Sequence, residues 1–172
     1  MRRRVVFWVV AVALVALALS LFGALRWSNP QPAAPPKVDL EAFNRNRVAR
    51  QQAFIDTVTA SGQWQDAPGG VRYRFIEDAL GVGDTLKRGD WVAWQARVAL
   101  SNDSVCFERP LAFRWQATDV PTGFHDLAGR TSVGDSVEAW LPAHMAWGLT
   151  GYQNLIPPDA IIHLNYRWHA EP

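Results

Sequence analysis

The sequence predicts an α+β fold, in which a five-stranded antiparallel half-barrel wraps around one short helix. From Val71 onward, apolar and more polar residues alternate with period two in five stretches, while Thr122–Arg130 has helical spacing. Each strand would therefore have one apolar face, which the short helix would cover. The predicted strands are Val71–Phe75, Val92–Leu100, Leu111–Trp115, Val137–Leu141 and Ile162–Trp168.

Composition supports one folded domain and excludes several classes of protein. The chain has 172 residues, of which 49% are hydrophobic and 19% charged, so it can bury a core and is not disordered throughout. Its net charge of +1 includes Arg2, Arg3 and Arg4, so the remainder lacks the basic face of a nucleic-acid binder. The single cysteine, Cys106, excludes an intrachain disulfide framework. Nine tryptophans and eight phenylalanines must fill a core or line a groove.

The N-terminal residues 1–27 are predicted to anchor the chain in a membrane. Val5–Leu25 contains no charged residue, and as a helix it would span about 30 Å, the thickness of a bilayer's hydrocarbon core. The arginines that precede it place the N-terminus in the cytoplasm and the following domain on the extracytoplasmic, periplasmic side. A cleaved signal peptide is the alternative, because Ala18-Leu19-Ser20 carries small residues at a suitable spacing.

Two segments separate the anchor from the main domain. Residues 28–37 are rich in proline and predict a stiff linker. Within residues 38–66, Asp39–Ala60 predicts an amphipathic helix with Asp39 as its N-cap. The main domain would then occupy residues 67–172.

Several motifs in this main domain resemble those of FKBP-type peptidyl-prolyl cis–trans isomerases. A pair of prolines after two aliphatic residues, shortly after an aromatic-glycine pair, is the most specific of them. The resemblance covers about Val71 to Ala170, and the preceding helix and anchor resemble the membrane-attached, gliding-motility-associated branch. The motifs are Lys87–Asp90, Pro110–Phe113, Val120–Phe124, Ser132–Asp135, Leu141–Gly148 and Asn154–Ala160.

This resemblance implies a peptidyl-prolyl cis–trans isomerase that assists the folding of exported proteins. Its partners would be proline-containing polypeptides and, through the N-terminal helix, the membrane, with no nucleic acid and no cofactor or metal. Rotation about an X–Pro bond crosses a barrier of ~18–20 kcal/mol through a twisted amide that is less dipolar than either planar form. A dry aromatic pocket that holds the proline ring would favour that twisted amide.

The resemblance also assigns residues to the pocket by position. Phe124 would form the floor, where the family more usually has Trp, and Trp147 stands where the family usually has Tyr. The implied catalytic residues are Phe107, Glu108, Phe124, Trp147, Tyr152 and Ile156. The implied substrate-binding residues are Leu111, Phe113, Val120, Pro121, Leu155 and Leu164.

Three positions depart from the family pattern and leave two alternatives open. Ala96 replaces a pocket Tyr, Glu108 replaces an Asp, and Pro121 lacks the backbone N–H that commonly holds a ligand carbonyl. One alternative is a catalytically weak or inactive FKBP-like chaperone or binding module. The other is a structural component of an envelope complex.

Overall fold

The computed structural model describes residues 14–21, 39–79, 86–118 and 120–169. The chain divides into two units, Met1–Val38 and Asp39–Pro172. Of the predicted anchor, only residues 14–21 (α1) belong to the described part, and they are helical. The predicted linker, residues 28–37, lies outside the described residues. None of the helices in the described ranges combines the length and apolar character required to cross a membrane.

Within the described part of the second unit, six antiparallel strands, one more than predicted, form a sheet in the order β1-β2-β5-β6-β3-β4. The additional strand, β1, has only three residues, mostly exposed and polar, and therefore shows no alternation in the sequence. It pairs with β2 across the predicted boundary between residues 66 and 67. The strands are β1 (Gln65–Ala67), β2 (Val71–Glu77), β3 (Trp91–Leu100), β4 (Val105–Arg114), β5 (Ser136–Leu141) and β6 (Ile162–His169).

Strand β4 begins six residues before the predicted Leu111 and ends one residue before Trp115. Its first six residues include Glu108, Arg109 and Pro110, which hide the apolar alternation in the sequence. Pro110 is tolerated because β4 is the last strand of the sheet and needs hydrogen bonds on one side only.

Helix α2 (Leu40–Val58) lies within the predicted Asp39–Ala60 and has the predicted N-cap, but Phe43 of its expected apolar face is 55% exposed. The Asp39 carboxylate accepts hydrogen bonds from the backbone N–H groups of Glu41 and Ala42, both at 3.0 Å, which satisfies two donors of the first turn. The helix buries Ile55 completely, and Phe54 packs edge-on against Trp140 of β5 with ring centroids 5.8 Å apart. Helix α2 is therefore part of the same folded unit as the sheet.

Helix α3 (Thr122–Ala128) covers the apolar face of the sheet, as predicted, and ends two residues before the predicted Arg130. Phe124 and Leu127 have no exposed surface. On the sheet side, Trp94 lies at the centre of the core and contacts the rings of four residues. These are Phe113 at 5.0 Å, Phe124 at 5.7 Å, Tyr166 at 3.9 Å and Trp168 at 6.5 Å between centroids.

Gly123 allows α3 to approach the segment that follows β5. A Cβ atom at this position would lie 2.6 Å from the carbonyl oxygen of Met145 and 2.6 Å from a methyl group of Leu141. Backbone atoms cannot move aside as a flexible side chain can, so the helix would have to shift. Close packing here thus depends on the absence of a side chain.

We expect Gly123→Ala to lower the free energy of unfolding by about 1–3 kcal/mol, because it overpacks this contact. Gly129→Ala, at the C-cap of the same helix, is the matched control, since its Cβ would have no neighbour closer than 3.6 Å and its backbone is right-handed. Urea unfolding of both variants is the measurement. Equal stability of the two variants would contradict the close approach.

Candidate active site

Five of the residues assigned by resemblance converge at one end of α3, and we call Phe107, Phe124, Trp147, Tyr152 and Ile156 the aromatic site. The indole of Trp147 is the shared neighbour. Its ring centroid lies 6.2 Å from Phe107, 5.4 Å from Phe124 and 5.6 Å from Tyr152, the first two contacts being edge-on. Such edge-to-face pairs are favourable beyond the area they bury.

Tyr152 and Ile156 form the two ends of a tight loop beside Trp147. The Tyr152 N–H donates to the Ile156 carbonyl at 3.0 Å, and the Ile156 N–H donates back to the Tyr152 carbonyl at 3.1 Å. Ile156 is 2% exposed, whereas Leu155 next to it is 41% exposed. The loop thus turns one aliphatic side chain into the core and leaves the other at the surface.

The strand register brings Phe107 to this site and takes Glu108 away from it. Val98 of β3 lies directly opposite both Phe107 of β4 and Leu164 of β6, so these residues share the inner face. Glu108 lies opposite Arg97 on the outer face, in a polar row that continues through Asn165 and Glu138. Glu108 is exposed there, so we leave it out of the proposed site.

The other assigned residues fall into two groups. Phe113 and Leu164 have no exposed surface and belong to the core beneath the site. Leu111, Val120 and Pro121 are half-buried, and Pro121 is the N-cap of α3. Because proline has no N–H, the backbone at Pro121 offers no donor to a bound peptide.

The floor of the site is covered in this structure. Phe124 has no exposed surface, and Trp147 packs edge-on against it. The surface of the site therefore consists of the half-buried rings of Phe107, Trp147 and Tyr152, bordered by the exposed Leu149 and Leu155. A ligand ring could reach Phe124 only after the Trp147 indole moves.

The site contains two hydrogen-bond donors and few charges. Neither the Trp147 indole N–H nor the Tyr152 hydroxyl has a hydrogen-bond partner among the described residues, so both can donate to a ligand carbonyl. Behind the site, burial raises the pKa of Tyr166 far above its usual range and keeps this phenol neutral. Burial also raises the pKa of the Cys106 thiol, which makes this cysteine a poor nucleophile.

Gln51 of α2 joins the two ends of the segment that carries Trp147, Tyr152 and Ile156. Its side-chain oxygen accepts from the Ala143 N–H at 3.0 Å, and its amide nitrogen donates to the carbonyl and carboxylate of Asp159 at 3.1 and 2.7 Å. Gln51 is only 8% exposed. Arg47, one turn earlier, forms an ion pair with the Asp159 carboxylate at 3.0 Å. Helix α2 thus fixes residues 143–159 at both ends.

Two contributors to the site were not assigned from the sequence. Trp94 supports Phe124 from within the core, and Arg109 lies on the inner face of β4 between Phe107 and Leu111. The sequence did contain a signal for Arg109, because counting back by twos from Leu111 along a strand reaches Arg109 and then Phe107 on the same face. It was missed because the strand was predicted to begin at Leu111.

Solved structures with a similar fold include a peptidyl-prolyl cis-trans isomerase and an FKBP. One is a peptidyl-prolyl cis-trans isomerase from Pseudomonas syringae pv. tomato, with a TM-score of 0.63 and 16% identity over 81% of this chain and 98% of that one. FkpA from Escherichia coli has a TM-score of 0.62 and 18% identity over 91% and 70% of the two chains. AtFKBP13 has a TM-score of 0.55 and 19% identity over 64% and 100%.

These comparisons establish the fold. The second unit of the chain is an FKBP-like α+β domain, with α3 against the inner face of the antiparallel sheet. The sequence matches no protein-family model and no curated protein.

We expect Gln51→Met to lower the free energy of unfolding by about 1–3 kcal/mol, because it leaves the buried Ala143 N–H without its partner. Gln52→Met is the matched control, since the Gln52 amide makes only a local bond to Asp56, worth about 0.2–0.5 kcal/mol. Urea unfolding separates the two variants. If both lose the same small amount, Gln51 does not hold the segment in place.

Proposed function

We propose that this protein is a peptidyl-prolyl cis–trans isomerase whose aromatic site binds prolyl segments. The observation that carries the proposal is the convergence of Phe107, Phe124, Trp147 and Tyr152 on one end of α3 in a domain with the isomerase fold.

The proposed reaction, rotation about an X–Pro bond, makes few chemical demands on this site. Rotation about the X–Pro bond moves no proton and no electron, so it needs no acid–base pair or metal. The twisted amide is less dipolar than the planar forms, which water solvates better, and transfer into a dry site of aromatic rings therefore lowers the barrier. The Trp147 N–H and the Tyr152 hydroxyl would hold a flanking carbonyl while the bond rotates.

Binding requires the Trp147 indole to move off Phe124. We propose that the prolyl ring takes the place of the indole against Phe124 and that the indole then packs on the opposite side of the ring. Trp147 is followed by Gly148, whose φ of +59° sets the turn of the chain at this point. In this scheme Trp147 covers the apolar floor in the free protein and forms a wall in the complex.

The place of action is a further part of the proposal. The uncharged run Val5–Leu25 after Arg2–Arg4 supports a domain held by an N-terminal anchor outside the cytoplasm, acting on exported proteins as they fold. The alternative of a cleaved signal peptide leads to the same compartment. The resemblance to the gliding-motility-associated branch stays a prediction.

A second candidate function is a prolyl-binding module that does not accelerate rotation. Pro121 has no N–H at the start of α3, and Ala96 is a fully buried small residue without a hydroxyl. Both remove polar groups that a catalyst could use to hold the substrate backbone. Binding of a prolyl peptide without faster isomerisation would favour this candidate.

The test is the rate of cis-to-trans conversion of a short prolyl peptide in the presence of the wild type, Trp147→Phe and Trp147→Ala. We expect wild-type acceleration, a loss of roughly three- to tenfold in kcat/KM without the indole N–H, and roughly thirtyfold or more without the ring. Trp91→Ala is the matched control, because Trp91 is 44% exposed on β3 and outside the aromatic site.

Circular dichroism and the thermal midpoint establish that each variant is folded before its rate is compared. A Trp147→Ala variant that is folded and as active as the wild type, or more active, would contradict the proposal. That outcome would mean that Trp147 only blocks access to Phe124 and does not contact the bound prolyl ring. Absence of acceleration by the wild type, with peptide binding intact, would move the assignment to the binding module.

A further inference from the structure

Arg109 places a positive charge on the inner face of β4, at the border of the aromatic site. It lies two residues after Phe107 and two before Leu111, so all three side chains leave the strand on the same side. Its neighbour across the ladder is the buried Ala96 of β3. The small methyl group of Ala96 leaves room for the long side chain above it.

The guanidinium of Arg109 rests on the Phe107 ring, with its central carbon 4.8 Å from the ring centroid. This cation–π contact occupies a face of the guanidinium and orients the group. The N–H donors of a guanidinium point outward in its plane, so its edges remain available for a planar anion.

No carboxylate of the described residues lies within 4.0 Å of Arg109. Other arginines in the described ranges, by contrast, form ion pairs with a carboxylate. These are Arg45, Arg47, Arg72, Arg74 and Arg167. The nearest acidic residue in sequence, Glu108, lies on the opposite face of β4. Arg109 is therefore an oriented, exposed and unneutralised cation beside the proposed prolyl site.

We propose that Arg109 is a specificity-determining residue that selects prolyl segments with an acidic side chain next to the proline. This inference rests on the proposed function and adds the class of substrate. A glutamate or aspartate carboxylate would receive two N–H bonds from the guanidinium while the proline ring occupies the aromatic site. The aromatic rings supply affinity for proline, and Arg109 discriminates among the flanking residues.

The experiment compares kcat/KM for matched peptides that carry Glu or Gln immediately before the proline, and for a second pair with the change immediately after it. The uncatalysed rate of each peptide is subtracted, because the flanking residue alters the isomer equilibrium. For an exposed pair we expect a two- to fivefold preference for Glu in one of the two positions at low salt. The preference should approach one at about 1 M salt, where the Debye length is about 3 Å.

Two variants assign the preference to this residue. Arg109→Gln should remove it, and Arg109→Lys should keep part of it, since the charge remains but the planar fork is lost. Arg97→Gln is the matched control on the outer face of the adjacent strand and should keep the full preference. Equal rates for Glu and Gln peptides in both positions, or a preference that survives in Arg109→Gln, would overturn the proposal.

Failure of the proposed function gives a different pattern. If the wild type accelerates no peptide, fluorescence anisotropy of the same labelled peptides measures binding alone. Tighter binding of a Glu peptide that is lost in Arg109→Gln would support the role of Arg109 in a module without turnover. Absence of a binding preference, or of binding, would overturn it.

Discussion

The series of ring contacts from Trp94 through Phe124 to Trp147 is the interaction on which the site depends. Trp94 packs under Phe124, and Phe124 packs under Trp147, with centroid distances of 5.7 and 5.4 Å. Trp94 is itself fixed by Tyr166, which stacks on it at 3.9 Å. The position of Trp147 is thus set from the centre of the sheet outward, and the chemistry at the surface depends on packing in the core.

Helix α2 fixes the site from the other side. Without Gln51 and Arg47, the hydrogen bonds of the segment from Ala143 to Asp159 would be local ones, such as that from the Asp159 N–H to the Gly148 carbonyl at 2.8 Å. The aromatic site is therefore held by two sets of contacts: the ring contacts with Phe124 and Trp94, and the polar contacts of α2. A site that works by shape and dryness needs such support, because small displacements of its walls admit water.

Much of the fold could be predicted from the sequence, because period-two alternation and an N-cap are local signals. Strand β1 could not be predicted, because Gln65–Ala67 is too short to show a period. The beginning of β4 could not be predicted either, because it contains Pro110, which a strand tolerates only at a sheet edge. The resemblance assigned Phe107 and Trp147 to one pocket, and their rings are in contact. The side of β4 on which Glu108 lies could not be predicted, because it depends on a strand register that the sequence alone does not specify. The role of Gln51 also required the structure, because its partners Ala143 and Asp159 are about a hundred residues away along the chain.

The most direct test of the central claim is a titration with a prolyl peptide followed by the indole N–H signals in a two-dimensional ¹H–¹⁵N NMR spectrum. The spectrum of Trp147→Phe identifies the signal of Trp147 among those of the nine tryptophans. We expect this signal to shift strongly with saturating peptide, because the indole leaves Phe124 and its N–H gains a carbonyl partner, while the Trp91 signal stays in place. A peptide that binds with the Trp147 signal unmoved, or that shifts no indole signal at any concentration, would contradict the account.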